Sequence, residues 1–583
     1  MANANGTHPL GAADYAVFSI FLGVAAITGI YHGLAKGGQR TTSRYLLADR
    51  GVFTLPVAMT LLVSFVSPVL LLGFPAEVYV HGGVIINSIF GNFILFPTMA
   101  FIFVPVYYDC KLTSAYEYLD RRYNFVLRII GACIYIFQTC CYMAIVTYAP
   151  SLAIEAVTGF AFWKSILITG TVCIFYTAMG GLKAVIWTDV IMFFVMFGTT
   201  IMVLIMGSKR AGGISYVWQF NKEQGRLNLG YCPIDVTERM TLPNAIAQSA
   251  FVKMSMWAVS QTGVQRFLAA KSKKQAQMSA LLNLPFFGLI FLLACFEGLV
   301  LYAFYHGDIS SSYSFPNSTD SPEFDNGSML ELSRRKPPNY TSPDQILIYF
   351  ISQEFGILPG FQGLFIACIF AGSLSTVSSG LNGLSAVTLV DIIRPFRKWR
   401  RKDQDEADIQ SREEYDTRLS KILTLIYGVV GIGLAFLASK LGTLLKMAVS
   451  VFGALGGPLV GAFLLGMLWQ RTNTRGILMG VIVGALLGLV MCVGNFSHQD
   501  NLEDSFALFQ VSFFWYGLFT LVVTTAIAVP TSEIIRHFSP AERDKQVDPV
   551  LLLSYVRPKQ CQSVGKEAEL DDMKTNTEED GIM

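Results

Sequence analysis

Long apolar runs separated by short polar joints make up most of the chain. A helix needs about 20 apolar residues to cross a bilayer. Thirteen segments reach that length, some narrowly: 13–35, 52–80, 84–106, 128–157, 163–179, 185–207, 242–260, 280–305, 358–391, 421–440, 446–470, 476–494 and 508–533. The polar joints set the orientation, because Lys and Arg collect in short cytoplasmic loops. Arg40, Arg44 and Arg50, then Lys111, Arg121 and Arg122, then Arg266, Lys271, Lys273 and Lys274, and finally RPFRKWRRK (394–402) form four basic joints. All four fall on one side if the N-terminus is outside and the C-terminus inside. The N-x-S/T acceptors Asn5, Asn317, Asn326, Asn339 and Asn495 all fall on the opposite, outer side. The pattern therefore predicts an all-α polytopic membrane protein. Residues 1–12 form an outer N-terminus, 13–535 the transmembrane domain, 306–345 a glycosylated outer loop and 394–420 a cytoplasmic loop. Residues 536–583 form a disordered acidic cytoplasmic tail.

Composition narrows the class. Of 583 residues, 53% are hydrophobic and 14% charged, against about 25% charged in soluble domains, and the mean hydropathy is +0.49. A net charge of +2 excludes the clustered basic surface that nucleic acid requires, so the expected surroundings are the lipid bilayer of the plasma membrane. Most of the 10 cysteines lie in apolar spans and only Cys232 is expected outside, which leaves no disulfide framework. The first ten residues lack the basic and apolar regions of a cleavable signal, so the first span is expected to remain. H-E-x-x-H, G-x-S-x-G, P-loop and C-x-x-C motifs are all missing. No organic cofactor and no enzyme activity are expected.

The polar content of the spans is concentrated. The second span, LPVAMTLLVSFVSPVLLLGFPAEVYVHG, contains Pro68 and Pro75. A proline lacks the N–H that the carbonyl four residues earlier would use, so Ser64 and Leu71 should present free carbonyls. At membrane depth such carbonyls are satisfied by protein, water or an ion. The ninth span contains AGSLSTVSSG (371–380), with five hydroxyls in ten residues. Positions 372, 375, 376 and 379 share one helical face. Hydroxyls and carbonyls suit a hard cation such as sodium, whereas small residues alone also suit close helix packing. Ionisable residues within spans are functional candidates: Asp189 opens the sixth span and Lys253 lies near the middle of the seventh. Asp189 is either an interfacial salt-bridge partner or an attractor of cations. Lys253 either snorkels to an interface or pairs with an anionic substrate.

Seven strings together carry a resemblance: SRYLLADR (43–50), GFPAEVY (73–79), LTSAYEYLDRRYN (112–124), YAPSLAI (148–154), YTAMGGLKAVIWTDV (176–190), VQRFLAAKS (264–272) and GLFIACIFAGSLSTVSSGLNGLSAVTLVDIIRP (363–395). In this order the chain resembles the sodium:solute symporter family. The match is to the branch holding the sodium/iodide symporter, the sodium-coupled monocarboxylate transporters and the sodium-dependent multivitamin transporter. The resemblance implies a five-plus-five inverted-repeat core with one extra N-terminal and two extra C-terminal helices. Sites in such folds lie at broken helices near the midplane. It implies a sodium site from the carbonyls of Val63, Val66 and Gly372 and the hydroxyls of Ser375 and Thr376, with Asp189 beside it or on its exit path. A second sodium or the substrate would lie near Ser67, Tyr142, Ser378 and Ser379. Around that pocket the chain departs from its relatives. Leu70 and Met192 stand where polar residues are usual, Ser260 precedes Gln261 in place of Asn, and Lys253 replaces an uncharged residue. The departures favour one sodium over two, and a carboxylate carrying an alkyl group over iodide. The expected activity is sodium-coupled import of a small organic anion by alternating access, in a monomer or homodimer. A sodium-dependent sensor or uncoupled conductance, or an inorganic anion such as iodide, are the alternatives.

Overall fold

The computed structural model describes residues 9–34, 50–158, 162–233, 235–307, 340–400, 409–438, 442–498, 505–543 and 547–553. Two apolar runs are broken, and the breaks explain the architecture. After α1 (Ala12–Leu34), α2 (Thr54–Phe65) stops at Val66, whose φ of −81° and ψ of 86° leave the helical region. A π-helical turn, Val69–Gly73, then leads into α3 (Phe74–His81). The two halves are bent by 61°. Pro68 has no N–H to continue α2, and the following amides turn back to Ser67 instead: Val69 N–H to its Oγ at 3.2 Å, Leu70 N–H to its carbonyl at 2.9 Å.

After α4 (Ser88–Thr98), α5 (Phe125–Thr158) and α6 (Phe162–Arg210) comes the second broken run. It consists of α7 (Leu242–Ala247), a π turn at Gln248–Val252, α8 (Lys253–Trp257) and, past the gap at 258–260, α9 (Gln261–Leu268). No proline makes this break. Ser260 is the N-cap that restarts the helix, its Oγ accepting from Gly263 N–H at 3.3 Å. The remaining helices are α10 (Lys273–His306), α11 (Ile346–Phe355), α12 (Phe361–Val387), α13 (Ile409–Ala438), α14 (Leu444–Leu468), α15 (Thr474–Ser497) and α16 (Tyr516–Phe538). Helix α12 is buried along nearly its whole length and packs on α5, α6, α9, α13 and α2. Asp14 of α1 accepts from Gly363 N–H at 3.0 Å, capping the start of α12.

Among the described residues nine helices are long and apolar enough to cross a membrane, or ten with the bent pair α2–α3. The run 242–268 is split into short pieces, and the segments expected at 163–179 and 185–207 form the single helical run of α6. The ordered chain also continues past 536, where a disordered tail was expected to begin. Leu551 and Leu552 are buried, Leu553 N–H donates to Met467 O at 3.1 Å, and Tyr118 donates to Leu551 O at 3.1 Å. Apolar side chains in that stretch find a groove on the body, which composition of the whole tail does not reveal. Residues 554–583 lie outside the described residues, as do Asn5, Asn317, Asn326 and Asn339. Asn495 is described and does not suit glycosylation. It is buried in the last turn of α15, and the nitrogen that would carry the glycan donates to Phe509 O at 2.9 Å.

Candidate functional site

The break after α2 lies directly against α12. A Cβ placed on Gly372 would sit 3.2 Å from the Val66 carbonyl oxygen and 3.3 Å from Pro68 Cδ, so a larger residue would push the two backbones apart by a few tenths of an ångström. Because the amides of Val69 and Leu70 are diverted to Ser67, the carbonyls of Phe65 and Val66 lack their usual helical donors, and Pro68 removes that of Ser64. Val63, in the last turn of α2, is buried beside them. On the facing helix the Thr376 hydroxyl is buried with no hydrogen-bond partner among the described residues. A buried unpartnered hydroxyl costs free energy, and its side chain lines one cavity with Ser64 and Phe65 at the end of α2. The chemistry of that oxygen set, carbonyls and hydroxyls with no thiolate or imidazole, suits sodium. No group of three His, Cys, Asp or Glu able to hold a metal occurs among the described residues.

Asp189 lies inside the protein, next to a buried arginine. It is fully buried, accepting from Ser375 Oγ at 2.6 Å and from Thr60 Oγ1. Arg266 stands 3.7 Å away. The sequence grouped Arg266 with a basic cytoplasmic loop, but it is fully buried. Its guanidinium donates to Thr60 O at 3.3 Å, Thr262 O at 2.8 Å and Ser379 Oγ. Ser379 also meets Ser64 Oγ at 3.2 Å, while Ser378 turns back to Ser375 O at 3.0 Å. Thus α2, α6, α9 and α12 converge on one polar seam, and within AGSLSTVSSG each hydroxyl has a separate partner except Thr376. Ser373 bonds Val146 O at 2.9 Å on α5.

Beside the seam lies a narrow cavity of about 20 Å³ lined from α2 by Ser64 and Phe65, from α5 by Tyr135, Thr139, Tyr142 and Met143, and from α12 by Thr376 and Gly380. Met256, Ser260, Thr262 and Phe452 complete it. Its lining holds hydroxyls, aromatic rings and methionines and no Lys, Arg, Asp or Glu. Tyr142 donates to Ser67 Oγ at 2.8 Å, so both of these sequence candidates lie at its edge. Six others do not line it, Ser378 and Ser379 of the seam and Lys253, Gln261, Leu70 and Met192. Lys253 is turned away: its Nζ donates to Ser249 Oγ at 2.8 Å and Asn92 Oδ1 at 3.3 Å and lies over the Phe287 ring, 4.3 Å from its centroid. That buried cage rules out snorkelling as well. Gln261 clamps the loop before α5 instead, accepting from Ala115 N–H at 2.7 Å and donating to Thr113 O at 3.1 Å. Leu70 and Met192 are buried in the apolar core. Tyr135, Thr139, Met143, Met256, Thr262 and Phe452 were not singled out by the sequence.

Comparison with known proteins finds the chain similar to sodium-coupled transporters. The model of the sodium:solute symporter family matches residues 45–484. The chain is 38% identical over 484 residues to the sodium-dependent multivitamin transporter of Oryctolagus cuniculus, covering 83% of this chain and 70% of that protein. It is 38% identical over 483 residues to the human sodium-coupled monocarboxylate transporter 1, covering 82% and 73%. To the human sodium/iodide cotransporter it is 37% identical over 485 residues, covering 83% and 70%. Among solved structures, a Na+-coupled sialic acid symporter in a substrate-bound outward-open state superposes with a TM-score of 0.73 at 23% identity, covering 90% of this chain and 98% of that one.

Proposed function

The chain belongs to the sodium:solute symporter family, and from that premise we propose that it imports a small organic anion together with sodium by alternating access. It is a multi-pass sodium-coupled symporter of the plasma membrane and not an enzyme; its substrate, stoichiometry and orientation are the parts proposed. Sodium is held by the carbonyls of Val63, Val66 and Gly372 and the hydroxyls of Ser375 and Thr376. The observation that carries this reading is the buried, unpartnered Thr376 hydroxyl, on a side chain that lines one cavity with Ser64 and Phe65 at the end of α2. Asp189, through its hydrogen bond with Ser375, fixes that ligand and lowers the cost of bringing a cation into the seam. The other hydroxyls of the seam already have partners, Ser379 with Arg266 and Ser64 and Ser378 with its own helix. This supports one sodium per cycle.

Substrate enters between the walls of the uncharged cavity that Thr376 also lines, which open to admit it, since the space now enclosed is about that of one water. Without a cationic side chain in the lining, a carboxylate is held by the neighbouring sodium and by the hydroxyls of Tyr142 and Ser260, which give up their present acceptors Ser67 Oγ and Met256 O to bind it. Its apolar part rests on Phe65, Met143, Met256 and Phe452. This favours a monocarboxylate or vitamin-like carboxylate. The N-terminus is outside and the C-terminus inside. A sodium ion entering at about −70 mV contributes roughly 1.6 kcal/mol and a tenfold gradient about 1.4 kcal/mol. With a monovalent anion a one-to-one cycle is electroneutral, and only the gradient term remains.

The test is uptake of radiolabelled pyruvate, lactate, biotin and iodide with sodium or choline outside, beside the Thr376→Val variant. Sodium-dependent accumulation of at least one carboxylate is expected, and iodide accumulation alone overturns the substrate class. Sodium-dependent current without accumulation would identify an uncoupled conductance. A reversal-potential slope corresponding to two sodium ions refutes the stoichiometry.

A further inference from the structure

One buried carboxylate lies far from the seam, where the segment before α11 meets the broken helix and the start of α14. Asp344 is 1% exposed, although it belongs to the short turn Pro343–Gln345. Its Oδ2 accepts from Leu444 N–H at 3.0 Å and from Ser342 Oγ at 3.0 Å. Leu444 opens α14, whose own N-cap residue Thr443 provides no side-chain cap. A residue one hundred positions earlier thus does the capping. Its other oxygen, Oδ1, has no hydrogen-bond partner among the described residues and points at the turn after the break. A Cβ on Gly73 would be 3.7 Å from it and 3.5 Å from Leu445 Cβ.

We propose that Asp344 is a proton-binding site that closes the outer side of the transporter: the side chain is charged when the outer path is open to water, and takes up a proton when the three elements meet around it. The inference rests on the orientation given above, which puts this contact outside. The ionisable neighbours leave the charge uncompensated. On α3, Glu77 is committed to Arg239 at 2.9 and 2.8 Å. From α5 comes Tyr148, a neutral phenol. On α14, Lys446 lies over the Phe496 ring. No Lys or Arg among the described residues forms an ion pair with Asp344. A carboxylate buried with one bare oxygen and no cation favours its neutral form, and burial raises the Asp344 carboxyl from 3.8 to about 6, with the Leu444 N–H opposing.

The sign follows from linkage. The closed contact binds the proton more tightly than the opened, hydrated one, so acid outside favours closure and neutral pH favours opening. With a value of about 6 when closed and the ordinary 3.8 when open, lowering the outside pH from 7.5 to 5.5 shifts the equilibrium about fourfold toward closure.

The test uses Leu445, buried beneath the contact. In the full-length chain with Cys232→Ser, Leu445→Cys is labelled in intact cells by a membrane-impermeant charged thiol reagent at pH 7.5 and 5.5. Rates are divided by those of the exposed native Cys232 in the unsubstituted chain, which cancels the change in thiolate fraction. The normalised rate is expected to fall about fourfold on acidification, and Asp344→Asn, which keeps the cap on Leu444 N–H, is expected to make it independent of pH. An unchanged rate, an equal fall in Asp344→Asn, or no labelling at either pH overturns the proposal. Labelling only after permeabilisation overturns the orientation instead. The assay uses no substrate, so its failure leaves the transport reading to the uptake screen.

Discussion

Replacing Thr376 by valine removes one oxygen and keeps the shape of the side chain, and its effect should depend wholly on sodium. In sodium-free medium the Thr376 hydroxyl is buried and unpartnered. A buried polar group in that state costs about 1–3 kcal/mol, so Thr376→Val should leave stability unchanged or raise it. With sodium present the variant lacks a ligand. A neutral oxygen bonded to a charged partner is worth about 1.5–3 kcal/mol, so sodium affinity should fall about 10- to 150-fold. The stabilisation by sodium, about RT ln(1 + [Na]/Kd), should nearly disappear at concentrations that suffice for the parent. The assay is thermal unfolding of purified protein across a sodium titration at constant ionic strength with choline. Ser375→Ala is the contrast. It strips a donor from buried Asp189 and should lower stability by about 1–3 kcal/mol in both media. If Thr376→Val destabilises the sodium-free protein as Ser375→Ala does, or leaves the sodium midpoint within twofold of the parent, the hydroxyl serves packing and the site assignment fails.

Gly372→Ala should weaken sodium binding at least tenfold. Its methyl group would stand 3.2 Å from the Val66 carbonyl, which must shift by a few tenths of an ångström, and the same sodium titration reads the loss. Lys253→Met should leave the substrate KM within about twofold, because the amine faces Ser249, Asn92 and Phe287 and not the cavity; a tenfold rise would return it to the pocket. Enzymatic deglycosylation should produce a mobility shift that shrinks with each of Asn317→Gln, Asn326→Gln and Asn339→Gln. Asn495→Gln should leave the shift unchanged, since that side chain is buried and hydrogen bonded.

What was legible in the sequence was local. The break after α2 follows from Pro68 alone, because a missing N–H has the same effect in any tertiary setting. The hydroxyl face of α12 follows from helical period in a run without charge. The second break was not legible, since residues 258–260 contain neither proline nor glycine and the helix restarts on a Ser260 cap. Nor was the direction of Lys253. The π turn at Gln248–Val252 inserts a residue just before it, and one residue rotates a helical face by about 100°. Periodicity read through that turn points the amine the wrong way.

Arg266 shows the same limit from the side of electrostatics. Counted with Lys271, Lys273 and Lys274 it is one more positive charge in a short joint, and the orientation rule needs nothing else from it. Yet burying a lone guanidinium is prohibitive, and it becomes tolerable only where Asp189, Ser379 and the Thr60 and Thr262 carbonyls supply a negative charge and acceptors. Those groups come from four helices, so no window of sequence contains the reason for its position. The uncharged cavity is a still less local feature: it is the space left between α2, α5, α8, α9, α12 and α14, and its residues share no motif. The proposed sodium ligands arise from defects in single helices and could be named from sequence, whereas the proposed substrate cavity arises from how those helices meet. A search for what this transporter carries should vary the hydroxyls and methionines of the cavity while leaving the seam intact. On the proposed reading, substitutions in the seam should change whether transport occurs, and substitutions in the cavity should change what is transported.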